Sequence, residues 1–194
     1  MRTVFFDVDT QIDFLFPAGG LYVPGAERII PNIAKLNHYA GSNEIPLVSS
    51  MDAHSENDTE FLHYPPHCIA GTLGQRKPTE TLLGSQSVIP ARHVHFKLVE
   101  GRQIILQKRA LDCFSNLNLP ALLDQLEAER YIVYGVVTEI CVKYAADGLL
   151  KTGKPVELVT DAVRSLSQEA SERMLQDFTS SGGLLTSTAE VLRR

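Results

Sequence analysis

Six short runs of the chain are apolar at successive positions: Thr3–Val8, Leu47–Ser50, Gln103–Gln107, Tyr131–Val137, Val156–Thr160 and Leu184–Thr186. Runs of this length, apolar on both faces, mark strands of a parallel sheet covered on both sides. Helical patterns lie between them. Ala26–Tyr39 brings Ile29, Ile30, Ile33, Leu36 and Asn37 near one face. Ala121–Glu129 is short and charged on one side, and Glu139–Lys151 aligns Ile140, Tyr144 and Gly148. Gln168–Phe178 follows Ser165-Leu166-Ser167-Gln168, which reads as a capping box. Alternating strands and helices imply βαβ units with right-handed crossovers, so the pattern predicts a doubly wound α/β fold. Two stretches break the rhythm. Asp52–Pro78 is polar, carries Pro65, Pro66, Gly71 and Gly74, and reads as a long ordered loop of the kind that usually has a function. Val88–Lys97 reads as an extra hairpin beside the sheet.

Length and charge narrow the picture. A chain of 194 residues suits one domain spanning 1–194. Surface scaling predicts about 9,000 Å² of accessible area once folded. Lys plus Arg minus Asp plus Glu is 18 − 23 = −5, and no basic block stands out, so nucleic acid is not an expected partner. The apolar runs are too short to span a bilayer, and Asp7 and Asp9 interrupt the first one, unlike a signal peptide. Three cysteines without CxxC spacing argue against a disulfide framework and for a reducing cytoplasm.

In open α/β sheets, ligands bind beyond the carboxyl ends of the strands. Four strands deliver reactive groups there. The first ends at Asp9, with Gln11 and Asp13 behind it; the second at Asp52, with His54 two residues on; the third at Lys108; the fourth at Thr138, with Cys141 in the next turn. Thr138 reads as an N-cap, which would put Cys141 in the first helical turn, where the helix dipole favours thiolate and free amides suit an oxyanion. The other reading of Cys141 is a buried structural thiol. Asp9 and Lys108 would supply a base and a positive charge beside a nucleophile, or else form a salt bridge closing the sheet edge. Asp7 is expected to face a helix layer or a turn. Asp52, His54 and His67 form a plausible shell for Zn²⁺, Mn²⁺ or Fe²⁺ with open positions, and Glu60 and His63 are further candidate ligands.

Three segments carry a resemblance. Phe6-Asp7-Val8-Asp9-Thr10-Gln11-Ile12-Asp13-Phe14 resembles the opening motif of the isochorismatase-like cysteine hydrolases, and Gly135-Val136-Val137-Thr138-Glu139-Ile140-Cys141-Val142 resembles their nucleophile segment. Pro65-Pro66-His67-Cys68-Ile69-Ala70-Gly71-Thr72-Leu73-Gly74 is similar to the metal loop of the nicotinamidase/pyrazinamidase branch. The resemblance runs in register from about Thr3 to Leu192; Lys77–Gly101 matches no motif. It implies a six-stranded parallel sheet with helices on both faces and a cis peptide between Val136 and Val137. It also implies a triad of Asp9, Lys108 and Cys141, an oxyanion hole from the amides of Val137 and Cys141, and one divalent ion, zinc or else manganese or iron, on Asp52, His54 and His67. Phe14 and Tyr64 become candidates for packing a substrate ring.

The implied activity is hydrolysis of the carboxamide of nicotinamide, or of a related small amide, to acid and ammonia through a thioester. That would place the chain in pyridine nucleotide salvage. The chain departs from the branch at three pocket positions, with Ala53 between the metal Asp and His, Tyr64 where Trp is common, and Ile140 before the nucleophile. These leave the triad and metal residues intact but alter the pocket. The alternatives are an N-carbamoyl or ureido amidohydrolase of the same superfamily, or a non-catalytic member that binds a pyridine ligand. The expected partner is a small amide; relatives are often dimers or larger, so a homo-oligomer is a further expectation.

Overall fold

A computed structural model of the chain describes residues 2–194. The chain folds as β1 (Thr3–Val8), α1 (Ile12–Leu15), α2 (Ile30–Ser42), β2 (Leu47–Asp52), β3 (Gln86–Ile89), β4 (Gln103–Lys108), α3 (Leu119–Leu126), β5 (Arg130–Val136), α4 (Lys143–Leu150), β6 (Val156–Arg164), α5 (Gln168–Ser180), β7 (Leu184–Thr186) and α6 (Thr188–Val191). Every strand pair is parallel and the spatial order is β3-β4-β2-β1-β5-β6-β7.

The sheet therefore has seven strands, not the expected six. The additional one, β3, overlaps the expected Val88–Lys97 hairpin only at Val88 and Ile89, and no hairpin forms there; β3 lies parallel to β4 at the sheet's edge. Its signal is weak because only Ile89 is buried, while Gln86 and Val88 face solvent. An edge strand covered at a single position has no apolar run to announce it.

Alternate residues of each central strand feed two cores. Val4, Phe6 and Val8 of β1 pack with Leu119 and Leu122 of α3, Ala145 and Leu149 of α4, and Met174 and Phe178 of α5. Phe5 packs on the opposite face with Ile33 and Leu36 of α2 and Val191 of α6. Helices thus cover both faces. The accessible area is 9298 Å², close to the scaling value. Among the described residues, no helix is long and apolar enough to cross a membrane.

Asp7 belongs to the α2 side, as expected. Its carboxylate accepts from Thr10 Oγ1 (2.6 Å), Ser49 Oγ (3.0 Å) and Asn37 Nδ2 (3.3 Å), and pairs with buried Lys77 at 3.3 Å. This ion pair ties the carboxyl end of the 53–78 loop to the sheet. Asp13 anchors the same loop nearer its middle: its Oδ2 accepts from the Cys68 amide at 2.6 Å and its Oδ1 from the Gly20 amide at 2.9 Å. The loop is ordered because the buried Asp7 of β1 holds its lysine and the partly buried Asp13 of α1 holds its backbone.

Candidate active site

Strand lengths decide which side chains converge. β2 and β4 each run further than their apolar cores, so that Asp52 and Lys108 are directly paired at the last register position. The Lys108 ammonium, 1% exposed, lies 2.6 Å from Asp52 Oδ1 and 2.8 Å from Asp9 Oδ2. It also donates to the Ala110 carbonyl at 2.9 Å and sits 3.9 Å from Cys141 Sγ. Asp9, at φ 49, occupies the left-handed region that Asp tolerates better than most residues. Ser50 Oγ donates to its Oδ1 at 2.7 Å, which fixes the carboxylate. Asp9 is also within hydrogen-bond reach of the Cys141 thiol. The structure thus brings Asp9, Lys108 and Cys141 together.

The nucleophile segment differs from the expected helix start. Thr138 is not an N-cap; it is the first residue of a π-helical turn, Thr138–Val142, and its buried hydroxyl has no partner. The Val137 carbonyl accepts from both Ile140 N (3.0 Å) and Val142 N (3.1 Å), which widens the turn before α4 begins. The Val136–Val137 peptide is cis, as the resemblance implies.

The electrostatics also correct one expectation. Burial pushes the Cys141 thiol well above its ordinary pKa; Lys108 opposes this, and Asp9 and Asp52 reinforce it. Burial thus favours the neutral sulfur, and a base beside it is what would draw off its proton. Burial raises the Asp9 carboxyl too, against the pull of Lys108. Asp52 is also penalised by burial, yet Lys108 and His54 hold it below the usual carboxylate value. Burial disfavours charge on Lys108, but Asp52 and Asp9 keep it firmly protonated.

Asp52, His54 and His67 form the second cluster. One ligand atom from each lies within 4.8 Å of the others, and all three residues are buried. Gln11 grips Asp52 from both sides: its Oε1 accepts from the Asp52 amide at 2.7 Å and its Nε2 donates to the Asp52 carbonyl at 2.9 Å. His67 Nδ1 donates to the Pro65 carbonyl at 2.8 Å, which leaves Nε2 with a free lone pair. Both ring nitrogens of His54 are buried without a hydrogen bond, Nδ1 lying 3.2 Å from Asp58 Oδ2. Glu60 Oε1 lies 3.7 Å from His67 Nε2 and 3.9 Å from His54 Nε2. His63 is exposed beside this group and does not join it.

These residues fit a divalent ion. The donors are nitrogen and oxygen, and a buried imidazole nitrogen is orphaned without an ion.

The two clusters share one cavity, lined by Phe14, Tyr64, His67, Val137, Cys141 and Leu166 among others. Phe14 stacks obliquely on His67 with ring centroids 5.3 Å apart. The space is about 20 Å³, room for one water, and it opens partly to solvent. A larger cleft of about 650 Å³, lined by Arg2, Glu44, Leu98, Glu100 and Arg102 among others, brings no nucleophile or imidazole with it.

Sequence reasoning missed Ser50, Asp58, Glu139 and Leu111 as parts of this neighbourhood. Their roles depend on contacts, most of them between segments far apart in the chain, which no spacing rule reveals.

Comparison with known proteins agrees with the geometry. The Isochorismatase domain family matches residues 3–190. A nicotinamidase of Acinetobacter baylyi is 24% identical over 207 aligned positions, covering 95% of this chain and 92% of that protein. The crystal structure of a pyrazinamidase of Pyrococcus horikoshii in complex with zinc superposes with a TM-score of 0.79 at 26% identity, covering 96% of this chain and 99% of the other. A pyrazinamidase/nicotinamidase from Streptococcus mutans gives a TM-score of 0.79 at 25% identity, covering 95% and 99%.

Proposed function

The chain belongs to the isochorismatase family, and from that premise we propose that it is a metal-containing cysteine amidohydrolase that converts nicotinamide, or a close heteroaromatic carboxamide, to the acid and ammonia. Hydrolysis of a carbon–nitrogen amide bond is the chemistry its relatives point to. The single observation that carries the reading is the Lys108 ammonium, 2.8 Å from Asp9 and 3.9 Å from the Cys141 sulfur.

Asp9 takes the thiol proton of Cys141. The sulfur attacks the carboxamide carbon, forming a C–S bond and moving charge onto the amide oxygen. The amides of Val137 and Cys141 receive that oxyanion, and Lys108 holds Asp9 in position as its charge changes. Asp9 passes its proton to the departing nitrogen, and ammonia leaves a thioester. Asp9 then draws a proton from a water that attacks the thioester carbon, and the acid leaves as the thiol is restored.

Asp52, His54 and His67 would hold a divalent ion, with Glu60 the nearest further oxygen. Such an ion supplies a Lewis-acidic point for a ring nitrogen or a water. Phe14 and Tyr64 would flank the ring. The hydrolase domain is read as spanning 1–194, and a reducing cytoplasm as its compartment, in keeping with three free thiols.

The test is ammonia release from nicotinamide by the native chain and by Cys141→Ala. Release by the native chain alone supports the reading. Turnover of a ureido compound without turnover of nicotinamide would replace it.

A further inference from the structure

A cavity of about 20 Å³ admits a water but no aromatic ring, so a wall must yield for a ring amide to reach Cys141. Half of the walls belong to the buried interior, and Leu21, Glu60, Tyr64, Leu111 and Ile140 are partly buried. Phe14, Val23, Asp52, His67, Val137 and Cys141 are all nearly fully buried at strand ends or under the loop. Leu166 is different. It is 48% exposed, and among the described residues it is the one cavity-lining residue in the set of large hydrophobic side chains left open to solvent.

Leu166 sits in the turn between β6 and α5. That turn is tied to the nucleophile segment through one side chain: Glu139 Oε1 accepts from the Leu166 amide at 2.9 Å and from the Ser167 amide at 2.8 Å. Ser167 in turn caps α5 by accepting from the Ala170 amide. The second Glu139 oxygen is buried without a partner, so the carboxylate's hold on the rest of the protein runs through these two amides. Glu139 lies two residues before Cys141, which links the position of the turn directly to the position of the sulfur.

From this we infer that Leu166 is the specificity-determining wall of the cavity and that Glu139 is the positioning residue that holds it closed over Cys141. The inference rests on the amidohydrolase reading for its substrate class, a flat apolar ring bearing a carboxamide. Opening moves the Leu166 turn away from Cys141 when the two Glu139 hydrogen bonds to it are released. The depth of Leu166 in the closed state limits ring size.

The experiment pairs substrate selectivity with access to the thiol. Nicotinamide and quinoline-3-carboxamide, a fused two-ring amide, are assayed with the native chain, Leu166→Ala, Leu166→Trp, Glu139→Ala and Glu139→Gln. Carbamidomethylation of Cys141 by iodoacetamide is followed by peptide mass spectrometry, with buried Cys113 as the internal control. Leu166→Ala is expected to raise the quinoline-to-nicotinamide ratio of kcat/KM by about tenfold or more. It also speeds Cys141 alkylation, and Leu166→Trp slows it. Glu139→Ala reproduces the Leu166→Ala selectivity and raises KM more than it lowers kcat, whereas Glu139→Gln, which keeps an acceptor oxygen, restores most of the native behaviour. A purely structural Glu139 would lower melting temperature without moving the ratio.

If both amides are hydrolysed and neither ratio nor alkylation moves in Leu166→Ala, the inference is overturned while the amidohydrolase reading stands. If no form hydrolyses either amide but both alanine variants still speed Cys141 alkylation over Cys113, the gate stands and the substrate class falls. Leu166→Ala trims a half-exposed side chain, so the test survives even where Glu139→Ala fails to fold.

Discussion

Asp52 and Lys108 face each other as the last residues of two adjacent parallel strands, and their side chains close to 2.6 Å. Asp52 is a candidate metal ligand and Lys108 a candidate member of the nucleophile's proton relay. One contact therefore joins the two halves of the site.

Replacing Lys108 tests that joint. Lys108→Met keeps the length of the side chain but leaves Asp9 and Asp52 buried without their cation. Loss of one partner of a buried pair costs about 3–5 kcal/mol. Urea denaturation should show a loss of that size and the amidase assay no turnover. Asp9→Asn, which removes a charge instead of stranding one, should abolish turnover with a much smaller loss of stability. Equal stabilities for the two variants would contradict the assigned role of Lys108.

Gln11 makes a prediction of its own. It bonds both backbone groups of Asp52, and its Nε2 also donates to the Gln75 carbonyl at 2.9 Å. Gln11→Leu should weaken zinc binding by about 10–100-fold, the usual scale for residues that orient a ligand. The 53–78 loop should also become easier to cleave in limited proteolysis. A competitive chelator titration reads the first effect directly.

Acidification should empty the metal site. Burial disfavours protonated His54, but Asp52, Asp58 and Glu60 outweigh it and hold the imidazole above its ordinary 6.5. Because the raised value favours the protonated ring, a proton must leave before His54 ligates an ion, and binding weakens as pH falls. Equilibrium dialysis against zinc at pH values on either side of 6.5 should give lower occupancy on the acid side. Constant occupancy across that range would exclude His54 as a ligand.

Gly135 is required by close approach as well as by conformation. Its φ is 125°, and an added Cβ would run into the Val8 carbonyl, where β1 and β5 come together just before Asp9 and Val137. Both neighbours are backbone, so neither yields cheaply. Gly135→Ala should cost roughly 2 kcal/mol or more. Differential scanning calorimetry would register it as a lower melting temperature, and an unchanged Tm would show that the strand pair adapts.

Much of the architecture was legible in the chain. The apolar runs of β1 and β7 gave their limits correctly, and those of β2 and β4 were placed but cut short. The apolar runs stop short of the strand ends because the last residues, Asp52 and Lys108, are charged, and each is buried in a pair with the other. β3 escaped because only Ile89 is covered. The Thr138 cap was misread because a buried hydroxyl without a partner looks, in sequence, the same as one bonded to a helix amide.

Residue order and hydrophobic pattern were enough to say that polar groups cluster beyond the carboxyl ends of buried parallel strands, because strand direction and crossover handedness leave few other places for them. They could not say which oxygen meets which nitrogen. That Glu60 and not His63 approaches the imidazoles, that burial pushes the Cys141 thiol upward, and that Leu166 closes the cavity all depend on distances of a few ångströms between segments far apart in the chain. Such distances are set by loop packing and by the removal of water from charge pairs, and both arise only when the chain is folded.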